Sequence, residues 1–199
     1  LFFHPSGTIE PLVEKNGKKT KGGLDIRVIK YLSAERPPLL APPGRLAPMG
    51  DIIRVLRKYE LLPAIFFLKS RSDCDGALEL CDSLGLDSDP ERKELLKKRI
   101  DELTKAHPHL RKHRQMWHLE HLGVASHHGG QLPGWKIAVE TLMSEGLLDA
   151  VFATSTVAAG VNFPARTVVI SNSDRFNGIE FMPLEANDFH QMSGRAGRR

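Results

Sequence analysis

Ala150-Val151-Phe152-Ala153-Thr154-Ser155-Thr156-Val157-Ala158-Ala159-Gly160 is the stretch that decides the fold. It opens as a short apolar run, passes through consecutive hydroxyl residues, and continues into small apolar ones. A strand with one wet face alternates; one that is apolar throughout is buried on both faces, as in a parallel sheet covered on both sides. Ala64-Ile65-Phe66-Phe67-Leu68 and Thr167-Val168-Val169-Ile170-Ser171 repeat the pattern, and Gly123-Val124-Ala125-Ser126 is a further candidate. Helical periodicities lie between these runs. Strand, helix, strand, helix, strand predicts an α/β fold with a mostly parallel central sheet and helices on both faces. Ligands of such sheets bind beyond the carboxyl ends of the strands. Thr154 and Ser155 after one run, and Lys69, Ser70 and Arg71 after another, are therefore candidate phosphate contacts.

The helices are read from spacing and caps. Asp51 is a predicted N-cap for a helix with Ile52, Ile53, Val55, Leu56 and Tyr59 inward. A helix over 72–84 ends at Gly85 and carries Cys74, Ala77, Leu78, Cys81 and Leu84 on its apolar face. Its thiols read as buried and free, as in a reducing compartment. Asp89-Pro90-Glu91 opens a charged helix with Leu95, Leu96, Ile100 and Leu103 as its stripe. Residues 134–146 repeat apolar positions at Trp135, Ala138, Val139, Leu142 and Met143. Residues 1–50 read as a lead-in segment with a loop-rich insertion. Phe2-Phe3-His4-Pro5 ends a strand, a lysine- and glycine-rich loop covers 14–23, 24–32 is apolar, and prolines break structure from Pro37 to Pro48. The domain proper is expected over 51–199.

The 199 residues suffice for one sizeable core. No apolar run approaches a membrane span and no secretory signal opens the sequence, so a cytoplasmic place, or a nuclear one in a eukaryote, is expected. The net charge of +4 is compatible with a nucleic-acid partner. Seven of the nine histidines fall between His107 and His128. Neither HExxH nor regular ligand spacing occurs there, so no metal site is expected; a solvated or RNA-facing cluster is the reading.

At the other end, Gln191-Met192-Ser193-Gly194-Arg195-Ala196-Gly197-Arg198-Arg199 sets Gln191, Arg195 and Arg198 at i, i+4 and i+7, one stripe if the segment is helical. Gly194 and Gly197 leave room for something anionic to approach, and guanidinium forks suit phosphate.

This segment resembles motif VI of the superfamily-two helicases. Residues 153–165 resemble motif V, 123–133 the segment between motifs IV and V, and 66–75 motif IV. The four occur in the family's order over roughly 51–199. The chain thus resembles the second RecA-like domain of a DExH-box helicase, in the branch with the exosome-associated RNA helicases and repair-type DNA helicases. The resemblance implies that Gln191, Arg195 and Arg198 face the phosphates of ATP, the arginines as fingers. It implies that Gly160 and Asn162 lie near the nucleotide and couple it to nucleic acid. It implies that Thr154, Ser155, His128, Gly129, Ser70 and Arg71 border a nucleic-acid strand. Arg71 to Cys74 and Arg175 to Gly178 lean towards RNA, although Asn177 stands where that branch has Asp, and Ser155 departs from both branches. No G-x-x-x-x-G-K-[ST] loop and no DExH acid pair occurs. ATP and Mg²⁺ would be held mainly by an upstream RecA-like domain of the same polypeptide, and both chain ends read as fragment boundaries. Alone, this chain is expected to lack ATPase activity and to bind nucleic acid weakly and salt-sensitively. A DNA helicase domain and a non-enzymatic nucleic-acid-binding module remain the alternatives.

Overall fold

A computed structural model describes residues 2–4, 8–10, 30, 33–34, 45–82, 89–155, 163–172, 174–176 and 179–196. The centre is a four-stranded sheet of β3 (Ala64–Leu68), β4 (Val124–His127), β5 (Ala150–Thr154) and β6 (Thr167–Ile170), in the order β4-β5-β3-β6. All its pairings are parallel, and Leu68 is in register with Thr154, and His127 with Ala153. β1 (Phe2–His4) and β2 (Thr8–Glu10) form a separate antiparallel pair, as do β7 (Asp174–Phe176) and β8 (Phe181–Pro183). The parallel sheet predicted from the apolar runs is present; the strand expected at 123–126 lies one residue later, because Gly123 takes φ +62° to end the preceding helix.

The helices are α1 (Met49–Lys58), α2 (Arg71–Glu79), α3 (Pro90–Ala106), α4 (Met116–Leu122), α5 (Pro133–Ser144) and α6 (Ala186–Ser193), with a 3₁₀ turn over Pro108–Lys112. β3 is buried along its whole length and distributes its side chains to both faces. Ile65 and Phe67 pack with Leu96 and Ile100 of α3 and Trp135, Val139 and Leu142 of α5. Ala64, Phe66 and Leu68 pack on the other face with Ile52, Ile53 and Leu56 of α1 and Cys74, Ala77 and Leu78 of α2. Two cores divided by one sheet explain why this strand is apolar at every position, since neither face meets water.

Several sequence readings change in detail. α1 begins at Met49, so Asp51 lies in its first turn and pairs with Arg54 instead of capping the helix, and Tyr59 is exposed after its end. α2 begins at Arg71 because the Ser70 hydroxyl caps it, accepting the Asp73 N–H at 3.0 Å. It ends at Glu79, so Cys81 lies beyond it, still buried, with its thiol donating to the Ala77 carbonyl at 3.3 Å. Burial pushes both thiols up, Cys81 to about 12. The Asp89 cap and Pro90 start of α3 are as predicted. Its buried stripe is Leu96, Ile100 and Thr104, with Leu103 packed beside it, while Leu95 is 53% exposed. The buried positions of α5 match the predicted five. The readings at 14–23, Leu84 and Gly85 lie outside the described residues.

Candidate nucleic-acid interface

Parallel strands in register end together, so the residues after β3, β5 and β4 share one edge. These are Lys69, Ser70 and Arg71; Ser155, with Thr154 as the last residue of β5; and His128 and Gly129. Arg71 begins α2, exposed, and lies across the β4–α5 loop: a Cβ placed on Gly129 would meet its Nη2 at 3.5 Å, and one on Gly130 its Cδ at 3.4 Å. The Arg71 side chain thus rests in van der Waals range of the exposed backbone at 129 and 130, and the tighter limit on a side chain at 130 is the His128 ring, 3.2 Å from such a Cβ. Arg71 makes no ion pair with any described residue. Lys69 leans away, its ammonium 5.1 Å from the centre of the Phe181 ring on β8. Ser70 already spends a lone pair on its cap, which leaves its O–H free to donate.

Beneath the loop lies a buried polar network that sequence reasoning missed. Asp75 Oδ1 accepts from Gln115 Nε2 at 2.7 Å, from Ser126 Oγ at 2.9 Å and from His128 Nε2 at 3.1 Å. Its other oxygen pairs with Arg114. Gln131 Nε2 donates to Ser126 Oγ at 2.6 Å and to Gln115 Oε1 at 3.2 Å. Partial burial opposes ionisation of Asp75. The hydrogen bonds from His128 and Ser126, with the charge of Arg114, outweigh it and hold the carboxyl below its usual range. Asp75 stands at the end of the motif IV-like stretch, one turn after Arg71, and that spacing was the available signal.

The network redefines His128. Its side chain is 4% exposed. Nδ1 accepts the Gly130 N–H at 3.2 Å while Nε2 is held on Asp75. A ring committed at both nitrogens cannot meet a strand directly; it shapes the loop that presents Gly129. Among the described residues no three of His, Cys, Asp and Glu converge as a metal site. The histidine-rich stretch is dispersed: His113 stacks on Trp135 at 3.7 Å, His121 on Trp117 at 5.2 Å, and His127 Nε2 meets Glu140 at 2.7 Å. His107 and His109 are exposed.

The Gln191–Arg199 segment is not one continuous helix. α6 ends at Ser193; Arg195 and Ala196 follow in tight turns, donating to the carbonyls of Met192 and Ser193, and Ala196 forms a parallel bridge with Ala165. Gln191 is therefore exposed on the last helical turn and Arg195 is half-buried beyond it, so one continuous helix does not carry both. Gly194 closes the last helical turn, after which the Arg195 and Ala196 N–H groups reach carbonyls only three residues back. The Gly194 N–H bonds the His190 carbonyl at 2.9 Å, and a Cβ there would sit 2.9 Å from that same oxygen. Met192, 3% exposed, anchors α6 in the core with Phe163 and Ala165. Gly160, Asn162 and Arg198 lie outside the described residues.

The pattern of the helicase conserved C-terminal domain matches residues 91–199. The chain belongs to this helicase C-terminal domain family. It is similar to the probable helicase HelY of Mycobacterium tuberculosis, 40% identical over 82% of this chain and 18% of that protein. It is 38% identical to the exosome RNA helicase MTR4 of Homo sapiens over 74% of this chain and 14% of that protein. It is 36% identical to the antiviral helicase SKI2 of Saccharomyces cerevisiae over 75% of this chain and 12% of that protein. The chain thus spans less than a fifth of the length of these relatives. It is a C-terminal, RecA-like domain of the superfamily-two DExH type. In this helicase domain, no helix among the described residues is long and apolar enough to cross a membrane.

Proposed function

We propose that this chain is the C-terminal motor domain of an ATP-dependent RNA helicase, laying the carboxyl edge of its sheet along an RNA backbone. Residues 51–199 act as the domain, with 1–50 as its lead-in. The observation that carries this reading is the Arg71 guanidinium, exposed, without a carboxylate among the described residues, and lying on Gly129 at the edge that also holds Thr154 and Ser155. A fixed cation, hydroxyls and side-chain-free backbone suit a phosphodiester: the cation neutralises it, the hydroxyls donate, and the glycine admits close approach. Thr154, Ser155, Ser70 and Arg71 make these contacts, and His128 holds Gly129 in place from beneath. The relatives named RNA helicases support RNA over DNA as the strand.

The residues around α6 fit a phosphate chain and not a metal. Gln191 offers an amide and Arg195 a guanidinium, while among the described residues no acidic or histidine cluster could hold Mg²⁺. An upstream domain of the same polypeptide would hold ATP and Mg²⁺, and ATP supplies the phosphoryl-transfer energy when bound. Arg195 and Arg198 donate to phosphate oxygens, Gln191 orients water, and Gly160 and Asn162 link that side to the RNA edge. The test is RNA-stimulated ATP turnover by the full-length protein carrying this chain, with Arg195→Ala and Arg198→Ala beside wild type. Arginine fingers are worth roughly 10³–10⁵ in related phosphoryl-transfer enzymes. Loss of at least about 100-fold in turnover with nucleotide binding retained is expected. Turnover indifferent to both arginines would sink the role, and equal stimulation by matched single-stranded DNA would sink the RNA assignment.

A further inference from the structure

The carboxyl edge of the sheet stops at β4, the outermost strand on that side. What lies beyond it is the segment His107-Pro108-His109-Leu110-Arg111-Lys112-His113-Arg114. Two contacts fix its position. A Cβ on Gly134, at the start of α5 and just after the Gly129–Gly130 loop, would come within 2.9 Å of His109 Nε2. Arg114 pairs with Asp75, one turn of α2 beyond Arg71. The segment therefore borders the same loop that Arg71 covers.

Its chemistry is one-signed. Residues 103–119 contain no Asp or Glu, while Arg111, Lys112 and Arg114 are all exposed, beside exposed His107 and His109. Asp75 offsets Arg114, but counter-charge at the other two cations is slight: Arg111 is 3.8 Å from Asp101 with both side chains more than half exposed, and Lys112 makes no ion pair with any described residue. The backbone that carries these cations is anchored on either side of them. Leu110 is 1% exposed in the core, and His113 stacks on the buried Trp135 at 3.7 Å. A row of cations on a pinned backbone binds a polyanion with less ordering cost than the same charges on a loose loop.

We infer that the His107–Arg114 segment is a second phosphate-binding ridge, which takes the backbone of single-stranded RNA as it leaves the Thr154–Arg71–Gly129 edge past β4. Arg111 and Lys112 neutralise phosphates there, and Leu110 and the His113–Trp135 stack anchor the backbone from which they project. This deepens the RNA reading and rests on it. The ridge reads no bases; it adds affinity and track length.

The test is equilibrium binding of oligouridine of about 6 and about 15 nucleotides, lengths that bracket the footprint of one single-strand binding domain, to the full-length protein. Arg111→Glu/Lys112→Glu is compared with wild type, with Arg71→Ala, and with Lys97→Glu/Lys98→Glu. The last is an equally exposed charge reversal on α3. The ridge variant should weaken the longer oligomer roughly tenfold at moderate salt and reduce the log–log salt slope by about 1. It should leave the shorter oligomer, and the α3 control, within about twofold, with circular dichroism and melting unchanged. If Arg71→Ala weakens binding but the ridge variant does no more than the α3 control, the ridge falls alone and an acidic protein partner becomes the reading. If wild type binds neither oligomer, the RNA reading falls and takes the ridge with it.

Discussion

His113 shows how one residue's surroundings set its chemistry. Burial against Trp135, then the neighbouring Arg114, lower its pKa to about 4 from the ordinary 6.5; Asp75 pulls the other way and His128 adds to the depression. The unfolded ring takes a proton below about 6.5 while the folded one resists until about 4. Its neutral form therefore adds stability that is complete above the unfolded pKa and lost as pH falls through the window between the two values. His127, also lowered by burial against a raising bond from Glu140, acts in the same direction. His113→Phe keeps the stack, gives up the 3.3 Å bond from the Gln115 N–H, and removes the titration. Denaturant unfolding at about pH 7.5 and about pH 5 should show a smaller loss on acidification in this variant than in wild type. An equal loss would mean the acid sensitivity lies elsewhere. No sequence rule marked His113 apart from its neighbours, because its stacking partner is 22 residues away.

At the scale of elements, Asp149 ties helices to the amino edge of the sheet. Its side chain, 4% exposed, bonds Arg57 of α1 through Oδ2 and Arg92 of α3 through Oδ1, both at 2.6 Å. Its backbone joins the Gly123 carbonyl and the Ala64 N–H at 2.8 and 2.9 Å. Asp149→Ala strands two guanidiniums that remain partly wet, so a loss of about 2–3 kcal/mol is expected, below the full penalty of a buried broken pair. Chemical denaturation of the variant checks this, and a loss under about 0.5 kcal/mol would place the pair among surface bridges of little worth. α5 was legible because its apolar period and its buried face coincide. α1 was misread at its start because Asp51 looks like a cap while its carboxylate pairs with Arg54, and the cap position is held by Pro48, which makes no side-chain bond to the helix. Leu95 was misread because α3 turns residues 96, 100, 103 and 104 inward, a choice made by the packing of α5 and β3.

Across the whole molecule, the parallel order β4-β5-β3-β6 makes one edge the shared end of three strands with chemistry-bearing successors. Residues 1–199 produced alone should bind single-stranded RNA with steep salt dependence and show no RNA-stimulated ATP turnover, because the proposed metal and triphosphate ligands belong to another domain. Binding titrations across salt and a phosphate-release assay check both halves. Robust turnover by this chain alone would overturn that division of labour.

The sequence by itself determined the fold class, since a strand apolar on both faces has no stable home except between two layers of helices. It also determined which residues follow strand ends, because a parallel sheet brings those successors to one side whatever the order. Only the tertiary structure decided the strand order, and with it that β4 is outermost and that the His107–Arg114 segment lies beyond it. Only the tertiary structure turned His128 inward onto Asp75 and set Arg195 in a turn beyond the end of α6. These outcomes depend on hydrogen bonds and close approaches between residues far apart in the chain, such as His128 with Asp75 and Ala196 with Ala165, which no local period encodes.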